Sequence, residues 1–184
     1  MSVMMLALGG LAGTACMPTM TIEDLKAMRP ERPPELDRLN MFVGHWEGTG
    51  EARMAGLDQV LKSTGTSDIT WEADRSALLE RGDYEMEGLG NMKGLGLWTY
   101  DPKARKYRNA WVDSFGGLGT GTCTYNEKTG TWKMRVKSHG PMGTTIGEGT
   151  VRFPDENTMS WTWREWDPLH LVKVFDMTGT SKRK

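Results

Sequence analysis

The residues of this chain best equipped for chemistry are its tryptophans, a few carboxylates and three histidines. Trp46, Trp98, Trp111, Trp132, Trp161 and Trp163, together with Met134, offer broad apolar faces, and each indole adds one ring N–H. Such groups can line a pocket that holds a small apolar or amphipathic molecule. Taken singly, each indole is more simply read as core, since it buries about 200 Å² wherever it packs. Asp113 shares a strand face with Trp111. Turned inward, it is a buried carboxylate in need of a donor such as Arg135 or Arg164; turned outward, it is a surface acid. Glu80, Asp83 and Glu165 join Asp113 as candidates for a general acid pair, and no spacing selects among them. The chain contains no Gly-x-Ser-x-Gly, no His-Glu-x-x-His and no phosphate loop. An enzyme with Asp113 in a polar pocket is therefore an alternative and not the first reading.

His45, His139 and His170 are the histidines. His170 follows the Asp167-Pro168 turn and could serve as an axial haem ligand; a solvated loop histidine is the plainer alternative. The 14 methionines are scattered and read as gap-filling core, not as soft-metal ligands. Neither Cys16 nor Cys123 has a Cys or His neighbour at metal-ligand spacing, so no metal site is expected.

The elements that must position these groups are legible in composition and turn spacing. The formal charge is −1, from 23 basic and 24 acidic residues. The two signs are interspersed, with a basic run only at residues 181–184, which argues against a nucleic-acid partner. Twenty-three glycines exceed the ordinary share of about 7%. With eight tryptophans and few helical patterns, they favour an all-β chain of short strands and many turns. No apolar run reaches the roughly 18 residues that cross a bilayer.

Residues 1–15 are uncharged and apolar, the length of a signal-peptide core. Leu11-Ala12-Gly13-Thr14-Ala15-Cys16 resembles a bacterial lipoprotein cleavage site with Cys16 as the lipidated residue. Residues 1–16 are thus expected to be a leader. It would export the chain to the bacterial envelope or periplasm, with a membrane tether through Cys16; an apolar N-terminus on a cytoplasmic protein is the alternative. Residues 17–34 read as a tether, with helix-start chemistry at Thr21-Ile22-Glu23-Asp24 and stops at Pro30, Pro33 and Pro34. A second short helix is expected from Pro34, with Leu36, Leu39 and Phe42 on one side.

Residues 35–184 carry the barrel. Turn signals at Asp101-Pro102-Lys103, Ser114-Phe115-Gly116-Gly117, Asn126 to Gly130, Gly140-Pro141-Met142-Gly143, Pro154-Asp155-Glu156-Asn157 and Asp167-Pro168 recur at about 13 residues. A strand of roughly nine residues and a four-residue turn fill that interval. Weaker signals at Gly56-Leu57-Asp58, Ala73-Asp74-Arg75 and Gly88-Leu89-Gly90-Asn91 extend the series to nine turns and ten strands. Successive short connections force antiparallel neighbours, and closure removes the two open edges of the sheet. The prediction is a ten-stranded antiparallel up-and-down barrel with a short N-terminal helix. Parity then puts alternate turns at opposite ends. One rim collects charge; the other collects Leu57, Leu89, Met92, Phe115, Leu118, Met142 and Leu169. The helix is expected to plug the charged end, which leaves the apolar rim as the mouth.

Phe42-Val43-Gly44-His45-Trp46 has the Gly-x-Trp opening of lipocalins and fatty-acid-binding proteins. Gly94-Leu95-Gly96-Leu97-Trp98-Thr99-Tyr100-Asp101, Lys106-Tyr107 with Trp111-Val112-Asp113-Ser114, and the closing Lys173-Val174-Phe175-Asp176-Met177-Thr178 with Lys182-Arg183-Lys184 are more specific. Together they resemble the bacterial family called domain of unknown function 1579, over residues 34–184. The resemblance implies a calycin-like barrel, often exported, and leaves the activity open. The reading from the residues is a binder of a small apolar or amphipathic molecule. Its alternatives are an envelope interaction module acting through the apolar rim, a haem barrel using His170, and the enzyme with Asp113.

Overall fold

The computed structural model describes residues 20–28, 31–141 and 143–184. The chain divides into two units, residues 1–31 and residues 32–184. In the first, α1 (Ile22–Ala27) starts as the sequence suggests. Thr21 caps the backbone N–H of Asp24, and Asp24 returns the bond to the Thr21 N–H, a reciprocal pairing that satisfies two orphan donors.

The second unit is a closed barrel of ten antiparallel strands. These are β1 (Gly44–Met54), β2 (Leu61–Glu72), β3 (Ala77–Met86), β4 (Gly90–Asp101), β5 (Lys106–Asp113), β6 (Leu118–Asn126), β7 (Thr131–Gly140), β8 (Gly143–Asp155), β9 (Thr158–Trp166) and β10 (Lys173–Arg183). Each strand pairs with its sequence neighbours, and β1 pairs with β10, so Trp46 lies opposite Arg183 and Met54 opposite Phe175. The nine expected turns all fall between strands.

Alternation along the strands sorts the side chains. In β7, Trp132, Met134 and Val136 turn inward while Lys133, Arg135 and Lys137 face water; β1 buries Trp46 and Ala52 and exposes Glu47 and Glu51. Elsewhere the outer wall also carries apolar side chains: Leu95 and Leu97 of β4, Val112 of β5 and Leu118 of β6 point outward and are exposed.

A 3-10 helix, Pro34–Phe42, closes one end. Its apolar residues stand three apart, which a helix of three residues per turn stacks in one line. Leu36, Leu39 and Phe42 are buried to 2%, 0% and 6% exposure. Removing these three side chains from water contributes about 5–9 kcal/mol as an upper estimate. Phe42 packs on Trp98, Trp132 and Phe153 at ring-centre distances of 5.6, 5.2 and 5.1 Å. Hydrogen bonds fix the helix to the barrel. Trp46 donates to the Phe42 carbonyl (2.8 Å) and Tyr107 to that of Glu35 (2.8 Å). Trp71 donates to Asn40 (2.8 Å) and Arg183 to the Met41 carbonyl (2.8 Å). The helix sits at the end that carries the 73–76, 102–105, 127–130 and 156–157 turns, the charged rim, as expected from parity.

Candidate functional site

Above this floor the inner wall changes character. The strands there present glycines inward, and aromatic rings from a neighbouring strand, or for Gly82 from its own strand, lie over them. A Cβ at Gly94 would stand 2.1 Å from Trp111 Cζ2, and one at Gly147 2.2 Å from Trp163 Cζ2. At Gly82 it would stand 2.2 Å from Tyr84 Cε2, and at Gly179 2.3 Å from Trp161 Cζ2. No side chain other than hydrogen fits under those rings. The consequence is geometric: each ring lies along the wall, with its bulk taken out of the axis.

Accessibility follows the same division. On the floor, Trp46, Leu78, Tyr107 and Trp132 are exposed by 1%, 1%, 4% and 0%. The inward-facing Glu80, Tyr84, Trp98, Trp111, Asp113, Trp161, Trp163 and Glu165 are only half-buried. The upper barrel, between the 3-10 helix and the mouth loops, is therefore packed less tightly than the floor.

Three carboxylates line it. Glu80 accepts from the Tyr84 hydroxyl (3.0 Å) and from Trp98 Nε1 (3.4 Å). Burial pushes the Glu80 carboxyl well above the usual carboxylate range, against the lowering effect of those two donors. Burial and the nearby Glu80 likewise push the Tyr84 phenol upward. Glu165 accepts from Trp163 Nε1 (2.7 Å) and the Thr145 hydroxyl (2.8 Å). Asp113 accepts from Trp111 Nε1 (3.0 Å) and from the backbone N–H groups of Phe115 (3.0 Å) and Gly117 (2.9 Å). The β4–β5 and β8–β9 pairs repeat one device. Gly94-x-Gly96 underlies Trp111, which binds the acid two residues on; Gly147-x-Gly149 underlies Trp163, which does the same.

The expected site residues thus separate into two layers. Trp46 and Trp132 belong to the floor, with Trp132 Nε1 donating to Met41 Sδ (2.9 Å). Trp98 and Met134 lie at the transition, packed against the floor core but half-buried. Trp161 lies with them, packed against the floor core and donating to the Ser181 hydroxyl (3.2 Å), and Trp111, Asp113 and Trp163 stand above. Asp113 does face inward, but its expected donors are elsewhere. Arg135 pairs with Glu148 (2.9 Å) and Arg164 with Asp176 (3.6 Å) on the outer wall, and an indole with two turn amides replaces them. Asp83, beside Lys93 at 3.7 Å, faces outward and leaves the set of pocket acids.

His170 is also turned away. Its ring stacks on Trp166 at 4.4 Å and lies 3.7 Å from the outward Glu148, a placement that does not suit the haem alternative. Among the described residues no group of three or more His, Cys, Asp or Glu is placed to hold a metal ion, and no described helix is long and apolar enough to cross a membrane. Cys16 and Met142 lie outside the described residues. The mouth loops expose Leu57, Leu89, Phe115 and Leu169, and with them Leu171 and Val172; Leu118 instead lies on the outer face of β6, and Met92 faces inward just below the rim. An open hollow on the outer wall, bordered by Glu47, Thr64, Thr66 and Lys182, gathers no aromatic group.

Reasoning from single residues missed Tyr84, Ser181 and the wall glycines. The signal for Gly94, Gly96, Gly147 and Gly149 was the repeated pairing of Gly-x-Gly on one strand with Trp-x-acid on the next; no sequence pattern marked Tyr84 or Ser181.

The family described as protein of unknown function (DUF1579) matches residues 32–169. No curated protein matches the sequence. Among solved structures, the chain is similar to the S-type phycobiliprotein lyase CPES of Guillardia theta. Identity is 12% and the TM-score 0.57, over 90% of this chain and 98% of that one. It is also similar to Rv2717c of M. tuberculosis, with 11% identity and a TM-score of 0.62 over 84% and 99% of the two chains. At such identities the likeness is one of fold.

Proposed function

The chain belongs to the DUF1579 family of proteins of unknown function, and from that premise we propose that it is a non-enzymatic binder of a small apolar or amphipathic molecule held in the upper lumen. One observation carries this reading. Trp111, Trp161, Trp163 and Tyr84 lie over glycines on the wall, where larger wall residues would have driven the same rings together toward the axis. Wall glycines weaken a strand by about 0.5–1 kcal/mol each relative to alanine, a cost that a packed interior would not require. The apolar mouth loops supply an entry route for an apolar body. The uncharged leader ending at Cys16 supports an exported, membrane-tethered location for the barrel.

Native mass spectrometry of the protein purified from its source should show a discrete bound mass that leaves on denaturation. Titration with the neutral dye Nile red should blue-shift the dye and quench tryptophan emission. Failure of both, at protein concentrations where an apolar pocket would saturate, sinks the reading.

A further inference from the structure

The charges of this chain nearly balance, yet its inner wall does not share that balance. Reading the register round the ten strands, the inward positions among the described residues hold Glu80, Asp113, Glu165 and a single cation, Arg183. Arg183 is committed to the floor, its guanidinium 4.7 Å from the Trp46 ring centre and bonded to the Met41 carbonyl. None of the three acids is paired with a cationic side chain among the described residues.

Turn geometry accounts for Asp113, which anchors the β5–β6 loop. It does not account for Glu80. Glu80 stands mid-strand, deep in the barrel, with only a phenol and a distant indole as donors. A carboxylate in that setting is expensive to keep without a counter-charge, and a glutamine would serve Tyr84 and Trp98 as well. Beside it lie the Tyr84 and Trp111 rings. A Cβ at Gly96 would meet both the Glu80 carboxylate, at 3.0 Å, and the Trp111 ring, at 3.3 Å. Aromatic faces that meet a desolvated carboxylate suit a cation on both counts.

We infer that the molecule held in the upper barrel is cationic, a flat apolar body bearing a protonated amine or delocalised nitrogen cation that meets Glu80 beside the Tyr84 and Trp111 rings, whose centres stand 6.3 Å apart. This rests on the binder reading and adds the sign of the charge. Glu165, under Trp163, and Asp113, under Trp111, extend the same negative field toward the mouth and repel anions.

Three planar probes of similar size separate the outcomes when titrated at mildly alkaline pH: 9-aminoacridine, a cation; acridine, neutral there; and acridine-9-carboxylate, which bears a negative charge. Wild type should bind the cation at least about tenfold more tightly than acridine, with the carboxylate weakest. Glu80→Gln should erase most of that preference and leave acridine affinity unchanged, while the outward Glu85→Gln leaves the preference intact. Should Glu80→Gln not fold, Glu165→Gln carries the comparison with a smaller loss. Equal binding of acridine and 9-aminoacridine, or a preference that Glu85→Gln removes as fully as Glu80→Gln, overturns the charge assignment and leaves the binder reading standing. If none of the three probes binds, the binder reading fails and the charge assignment with it.

Discussion

Replacing Gly94 by alanine adds one methyl group to the inner wall at a place the Trp111 ring already occupies. The new carbon would stand 2.1 Å from Cζ2 and 2.4 Å from Cη2, whereas carbon atoms settle at about 3.5–4.0 Å. The ring must retreat about 1.5 Å toward the axis, straining its 3.0 Å bond to Asp113. Overpacking of this kind costs about 1–3 kcal/mol. An unobstructed strand glycine replaced by alanine would instead gain about 0.5–1 kcal/mol. The net expectation is a loss of about 1–2 kcal/mol, which lowers Tm by about 2–8 °C in a domain of this size. Thermal unfolding followed by tryptophan emission reads it. In a Trp111→Leu background the same alanine should be neutral or stabilising, so the double-mutant cycle should return a coupling of about the size of the single loss. A Gly94→Ala protein as stable as wild type, or more stable, would refute the picture of rings laid flat over glycine.

Glu80 gives a pH test of the lumen. Burial raises its folded-state pKa above the ordinary 4.5, so the folded protein keeps this proton at pH values where the unfolded chain has released it. The associated stability is complete below about pH 4.5 and is lost as pH climbs toward the folded value. Ligand-free Glu80→Gln should therefore raise the urea midpoint at neutral pH and leave it unchanged near about pH 4; an equal shift at both would contradict the assignment. Cys123 is 1% exposed, and burial pushes its thiol up to about 12. Ellman's reagent should leave it untouched in the native protein and label it on unfolding, and prompt native labelling would show that the β6 interior is open to solvent.

Much of the barrel was present in local chemistry. Asp-Pro, Asn-Glu-Lys-Thr-Gly and Gly-rich runs set the turns, and the strict alternation through Trp132, Met134 and Val136 set the inward parity of β7. Where alternation was broken, parity stayed open: in β5 both Ala110-Val112 and Trp111-Asp113 offer apolar groups, and only pairing with Gly94 and Gly96 turns Trp111 inward. Sequence spacing also put His170 at the mouth, but the left-handed backbone there, with φ of 59°, carries its ring back onto Trp166. Loop conformation is a tertiary matter, and no spacing reports it.

Length, turn rhythm and hydrophobic period by themselves determined the number of strands and their order, because these depend on short-range rules that neighbouring residues satisfy alone. Closure and the plugged end followed from the count, through the need to pair the two sheet edges, β1 and β10. The division of the tryptophans was different. Trp46 and Trp132 are sealed into a floor and Trp111 and Trp163 are laid along a wall, and identical side chains on equally regular strands cannot announce which they will be. Only the approach of an adjacent strand, with glycine or a larger residue beneath the ring, decided whether each indole was sealed into the floor or laid along the wall.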